Sequence, residues 1–245
     1  MMLTHTLVDQ YGSESPACKL LRYAIAGSVQ FDCGSIDLIP IGKGALFCES
    51  RAPYKNTLLQ FEMPSNPVLS HAILILRYLP DDSTEIIAAQ RLRRNKEWRT
   101  ALPTIVKRGS DGSFNYYRNS NNAEITKFVT VFHAQALNFF YILGCTNVET
   151  ADHPAPTALN KKRTKAGKFP MLEYKTLVLK LDTQSAIGQS LGGTHASPRL
   201  HLRRGHVRHL ESGKRVWVRE CVVGSAHGIV LKDYRITNAT PHNTI

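Results

Sequence analysis

Apolar residues recur at spacings of three and four between Ile125 and Leu143, through Phe128, Val129, Phe132, Ala136, Phe139 and Phe140. That period keeps one apolar stripe on a helix of 3.6 residues per turn. Asn121 followed by Glu124 has the form of a capping box, and Gly144 stands where a left-handed C-cap belongs. The pattern predicts a single helix over about 123–143. A stripe of that length must be covered, so the helix is expected to be the packing centre of its region. His133 is placed beside its polar face.

The cover is predicted to be strands. Ser70 to Tyr78 is a near-continuous apolar run stopped by Pro80-Asp81-Asp82, and Glu85 to Ala89 resumes it. Such a pair reads as strands buried on both faces. Shorter apolar pieces at Ile36–Ile41, Ala45–Cys48 and Thr57–Phe61 are broken by Gly and Pro and read as strands joined by turns. Cys18 to Ala24 reads as a short amphipathic helix. The fold class is therefore α+β: mixed strands packed on one long helix, with a β-rich C-terminal domain built on a hairpin described below. The prolines of Asp152-His153-Pro154-Ala155-Pro156 suit a boundary. Residues 1–154 form the first region, 155–236 the second, and 237–245 a frayed tail.

Charge separates the two regions. The net charge of +12 is almost all in the second: residues 1–154 hold 15 Lys and Arg against 14 Asp and Glu, and residues 155–235 hold 16 against 5. An excess of that kind attracts polyanions. Lys161, Lys162, Arg163, Lys165 and Lys168 form a run without an acid, read as an extended arm for phosphates that folds on binding. Met171 to Leu181 alternates as a strand. A smaller cluster, Arg91, Arg93, Arg94, Lys96 and Arg99, surrounds Trp98 and reads as a solvated face with the indole tucked in.

The stretch Arg199 to Cys221, R-L-H-L-R-R-G-H-V-R-H-L-E-S-G-K-R-V-W-V-R-E-C, reads as a hairpin turning at Leu210–Lys214, with Gly213 at positive φ. A bulge at Gly205 is expected to return His206 and Arg208 to the face carrying His201 and Arg203. Three readings follow. In the first, Arg199, Arg203, Arg204, Arg208, Lys214 and Arg219 dock phosphates while Trp217 or Tyr174 stacks on a base, making a nucleic-acid-binding protein for DNA or RNA. In the second, His201 and His206 are the general acid and base of a metal-independent endoribonuclease. In the third, the basic face meets an acidic host protein.

Other chemistry finds little footing. No P-loop, nucleophile elbow or H-E-x-x-H helix is present, and no cofactor or metal is expected. Glu173-Tyr174-Lys175 with Asp152 upstream has the E-x-K form of some nucleases, a short and common match. Five scattered cysteines without a C-x-x-C pair suit buried thiols in a reducing compartment. Without a signal-like N-terminus or a membrane-length apolar run, the expected setting is the cytoplasm.

The segments L-N-K-K-R-x-K-x-G-K-x-P-x-x-E-Y-K-T-L-V-L, R-L-H-L-R-R-G-H-V-R, V-W-V-R and G-I-V-L-K-D-Y-R-I resemble uncharacterised proteins of bacteriophages and bacterial mobile elements. The resemblance covers roughly residues 140–236, beginning near Gly144-Cys145-Thr146-Asn147-Val148. It implies a phage-type protein working in the cytoplasm of a bacterial host, and it implies no catalytic residue.

Overall fold

The computed structural model describes residues 2–36, 53–100, 103–117, 123–180, 201–203, 205–218 and 221–223. Its frame is a nine-stranded mixed sheet. The strands are β1 (Val29–Ser35), β2 (Asn56–Glu62), β3 (Leu69–Tyr78), β4 (Thr84–Leu92), β5 (Trp98–Thr100), β6 (Thr104–Arg108), β7 (Phe114–Tyr117), β8 (Val148–His153) and β9 (Tyr174–Leu179). Their order is β7-β6-β4-β3-β2-β1-β9-β8, with β5 also paired to β4. β1 runs parallel to β2 and to β9, and the other pairings are antiparallel.

Alternation sends each strand's residues to two separate cores. Leu59 and Phe61, Ala72, Leu74 and Leu76, and Ile86 and Ala88 face the helix α3 (Ala123–Leu143), meeting Val129, Phe132, Ala136, Phe139 and Phe140. Leu58, Ile73, Ile75, Ile87 and Ala89 face the other way, onto α1 (Thr4–Asp9) and α2 (Pro16–Ile25) through Leu7, Val8, Leu21 and Ile25. The continuous apolar runs of β3 and β4 follow from this double cover. α2 begins on Ser15, whose side chain accepts from Cys18 N–H, with Pro16 in the first turn.

The long helix lies where its period predicts, but two of its details differ. His133 is not beside a polar face: it is 4% exposed, with its Nδ1 3.1 Å from the Tyr116 hydroxyl and Phe114 edge-on to its ring. Burial lowers its pKa to about 4. Gly144 lacks the positive φ of a left-handed cap. It leaves room instead, since a Cβ there would stand 2.5 Å from Arg215 Nη2. The capping box at Asn121 and the apolar pieces at 37–52 lie outside the described residues.

The boundary expected at residue 155 does not divide two sheets. β9 inserts between β1 and β8, so the chain re-enters the N-terminal sheet beyond the prolines. The proline segment serves only as the connection out of β8, a strand that composition alone merges into the linker. No helix among the described residues is long and apolar enough to cross a membrane.

Candidate functional site

The basic hairpin forms and docks beside the C-terminal end of α3. Its strands are β11 (His206–His209) and β12 (Arg215–Val218), in the register His206↔Val218 to His209↔Arg215. Leu210 N–H donates to Lys214 carbonyl, Gly213 N–H to Leu210 carbonyl, and Gly213 takes φ +76°, as the turn requires. Asn147 binds the hairpin edge as a strand would. Its Oδ1 accepts from Trp217 N–H at 2.8 Å and its Nδ2 donates to Trp217 carbonyl at 2.9 Å. Thr146 adds its N–H at 2.9 Å and its hydroxyl at 3.1 Å to the Arg215 carbonyl. Tyr141 hydroxyl hydrogen-bonds His209 Nε2, and the Arg215 guanidinium sits 4.6 Å over the Tyr141 ring. The motif Gly144-Cys145-Thr146-Asn147 is thus the dock for the hairpin.

Docking sorts the candidate residues onto two faces. Val207 and Trp217, paired across the ladder, pack on the α3 core. Trp217 was expected among the exposed cations as a base platform; its ring is instead turned to the protein, and among the described residues its buried indole N–H has no acceptor. Tyr174, the other proposed stacker, is packed against the α1–α2 core and stacked on His153 at 4.6 Å. His206 and Arg208 alternate to the opposite face with Val216 and Val218, and Lys214 is exposed in the turn. Beyond them, β10 (His201–Arg203) pairs with β13 (Cys221–Val223). The two ladders are separate: one ends at His206↔Val218 and the other at Arg203↔Cys221. Residues 204, 219 and 220, between the two ladders, lie outside the described residues, and with them the bulge expected beside Gly205. The side chains of His201 and Arg203, and Arg199, Arg204 and Arg219 entirely, lie outside the described residues.

The lysine run is not an extended arm. It forms a helix, α4 (Thr157–Lys165), in which no residue is buried. Arg163 holds it in place: its guanidinium pairs with Asp9 on α1, and its Nε donates to Phe169 carbonyl at 2.9 Å. Asn160 adds two bonds to the Met171 backbone, at 2.7 and 2.8 Å. Arg163 is therefore a structural latch, while Lys161, Lys162, Lys165 and Lys168 stay exposed. The Arg91–Arg99 cluster reaches the same side of the sheet. Trp98 is buried there, donating its Nε1–H to Thr6, and Arg91 lies over its ring. The pKa of His5 on α1 is lowered by burial first and then by Arg163, with Arg91 a smaller cause. The cations thus occupy two surfaces: the clusters at α4 and β4–β5 flank α1, and the hairpin stands at the α3 end.

One constellation was missed in the sequence because it exists only across the sheet. On the α1–α2 face, Asp32, Gln60, Glu62, His71 and Arg91 follow one another across β1, β2, β3 and β4 through the pairs Asp32↔Gln60, Glu62↔His71 and His71↔Arg91. The buried Nδ1 of His71 has no partner among the described residues, and burial lowers its pKa. The E-x-K segment is placed by β9: Lys175 pairs with Asp152 across the β8–β9 ladder, and its hydrogen bond to that carboxylate raises the lysine pKa. That carboxylate is committed to an ammonium group.

Comparison with known proteins supplies the identity. The AcrVA2-like model, an anti-CRISPR type V subtype A2 family, matches residues 46–225, which is 180 of the 245 residues. The chain belongs to the AcrVA2-like family. The match runs from before β2 to beyond β13, so it takes in α3, the Asn147 dock, α4 and the hairpin together. No curated protein and no solved structure matches the chain. For an AcrVA2-like protein the third reading of the basic face, a host-protein partner, has more behind it than the first, nucleic-acid binding.

Proposed function

We propose that the protein is a phage-borne inhibitor of a type V CRISPR–Cas system that works in the bacterial cytoplasm by binding a host effector protein. The observation that carries this reading is the family match over residues 46–225. The docked hairpin gives it a surface: Asn147, Thr146 and Tyr141 fix β11–β12 to the core, which spares binding the cost of ordering a loose loop. His206, Arg208 and Lys214 then stand away from the α3 core on a rigid edge. Positive charge so held selects an acidic partner surface and speeds encounter with it.

The test is a plaque assay in a bacterium whose type V system targets the infecting phage. Expression of the chain is expected to restore plaquing, and the tagged chain is expected to co-purify with the effector. Arg208→Glu should weaken both while leaving the protein folded. Unrestored plaquing at normal expression would overturn the reading.

A further inference from the structure

α4 poses a physical question. An isolated nine-residue helix is marginal in water, and most protein helices are held by an apolar face. This one buries no residue, lacks an N-capping side chain and crowds cations along its length. It stays in place through Asn160 and Arg163, each spending its side chain on the segment 169–171 or on Asp9. The latch therefore holds a helix whose remaining surface is free for something else.

That surface is chemically uniform. A shallow groove of about 520 Å³ is lined by Ala155, Thr157, Asn160, Lys161, Thr164 and Lys165. Thr157, Lys161 and Lys165 succeed one another at four-residue steps, about 6 Å apart along the axis. None of Lys161, Lys162, Lys165 and Lys168 enters an ion pair among the described residues. The first-turn N–H groups, starting at Thr157, lack a side-chain cap because Pro156 is the N-cap residue. Lys161, Lys165, Thr157 and Thr164 thus line one groove, where phosphate oxygens would satisfy both ammonium groups and hydroxyls.

We propose that this face of α4 docks the sugar–phosphate backbone of an RNA duplex. Charge favours a polyanion. The groove lining includes no aromatic, and nearby Phe169 packs with the α1–α2 core under the Arg22 guanidinium, so no ring is offered to an unstacked base. The contact is with backbone, as in duplex recognition. Thr157 and Thr164 hydroxyls both donate and accept, which lets them take a hydrogen bond from a ribose 2′-OH that DNA lacks. The site is separate from the hairpin surface and stands whether or not the hairpin binds an effector.

The test uses the full chain and fluorescence anisotropy with a labelled RNA duplex, a DNA duplex of the same sequence and a poly-glutamate peptide, across a salt series. RNA binding should weaken as salt rises. Lys161→Glu/Lys165→Glu should lower affinity at least tenfold and flatten the log–log salt slope by about 2, roughly one unit for each lysine no longer neutralising a phosphate. Lys161→Gln/Lys165→Gln, a milder change on a helix without buried residues, should act in the same direction with an unchanged circular dichroism spectrum. Thr157→Val should narrow the preference for RNA over DNA. Undiminished RNA binding by both lysine double variants overturns the site. Equal affinity for the DNA duplex overturns the RNA assignment, and tighter binding of poly-glutamate would make α4 a protein-docking surface instead. Because Arg208→Glu probes the hairpin separately, failure of RNA binding and failure of plaque restoration are distinguishable.

Discussion

α3 and α4 are helices of one chain held by opposite means. α3 is surrounded: Val129, Phe132, Ala136, Phe139 and Phe140 face the sheet, and Tyr141 meets the docked hairpin. α4 buries nothing and hangs on Arg163 and Asn160. A helix held by packing carries its reason in its own sequence, as a period. One held by polar latches carries it elsewhere, here in Asp9, more than 150 residues away.

The contrast can be broken first at α3. Phe139 is 1% exposed and touches Phe31 and Phe140 edge-on. Phe139→Ala should lower unfolding free energy by about 3–5 kcal/mol, the range for emptying a buried aromatic site, read as the shift in a denaturant midpoint. Lys162→Ala on α4 should stay within about 0.5 kcal/mol, as an exposed surface substitution does. If the two costs are alike, the contrast between the helices is wrong.

His133 gives the same helix a pH dependence. Its pKa falls from 6.5 in the unfolded chain to about 4 in the fold, through burial. The unfolded state therefore binds the proton first as pH drops. The contribution is fully present above pH 6.5 and is lost as pH falls toward 4, by about 3 kcal/mol at 1.36 kcal/mol per pKa unit. His133→Gln should flatten the stability profile across that window. A variant as acid-sensitive as the wild type would assign the loss to other groups.

At the hairpin dock, Asn147→Ala removes an acceptor and a donor from the Trp217 backbone. A cost of about 1–3 kcal/mol follows if those groups are left unsatisfied, and amides of β11 and β12 should exchange faster than those of β3. Unchanged exchange in the hairpin would mean that Val207 and Trp217 hold it alone. Gly144 belongs to the same dock, lying beside the guanidinium of Arg215, a neighbour 71 positions later that no local pattern reveals.

What was legible follows the same division. The bounds of α3, the β3–β4 pair and the Gly213 turn were readable because period and turn chemistry are local. The insertion of β9 beside β1, the inward turn of Trp217 and the row from Asp32 to Arg91 were not, because each is fixed by long-range pairing. The lysine run was recognised as a cationic element but read as an arm, since composition reports charge and says nothing of a distant carboxylate.

The smallest effect on global stability is expected where the latch is cut. Arg163→Gln removes the ion pair to Asp9 and the Nε–H bond to Phe169 carbonyl. Because the pair is near the surface, the global cost should be about 1 kcal/mol. Its local effect should be larger: amides of α4 are expected to lose hydrogen-exchange protection while those of α3 keep theirs, since a helix without apolar contacts opens on its own. If α4 stays protected, Asn160 alone suffices and the latch is redundant. If α3 loses protection with it, α4 belongs to the cooperative core and its rigidity is not a separate device. A freed α4 should also bind the RNA duplex more weakly than wild type, because its cations must then be ordered on binding. That last result would tie the latch to the function inferred for the surface it holds.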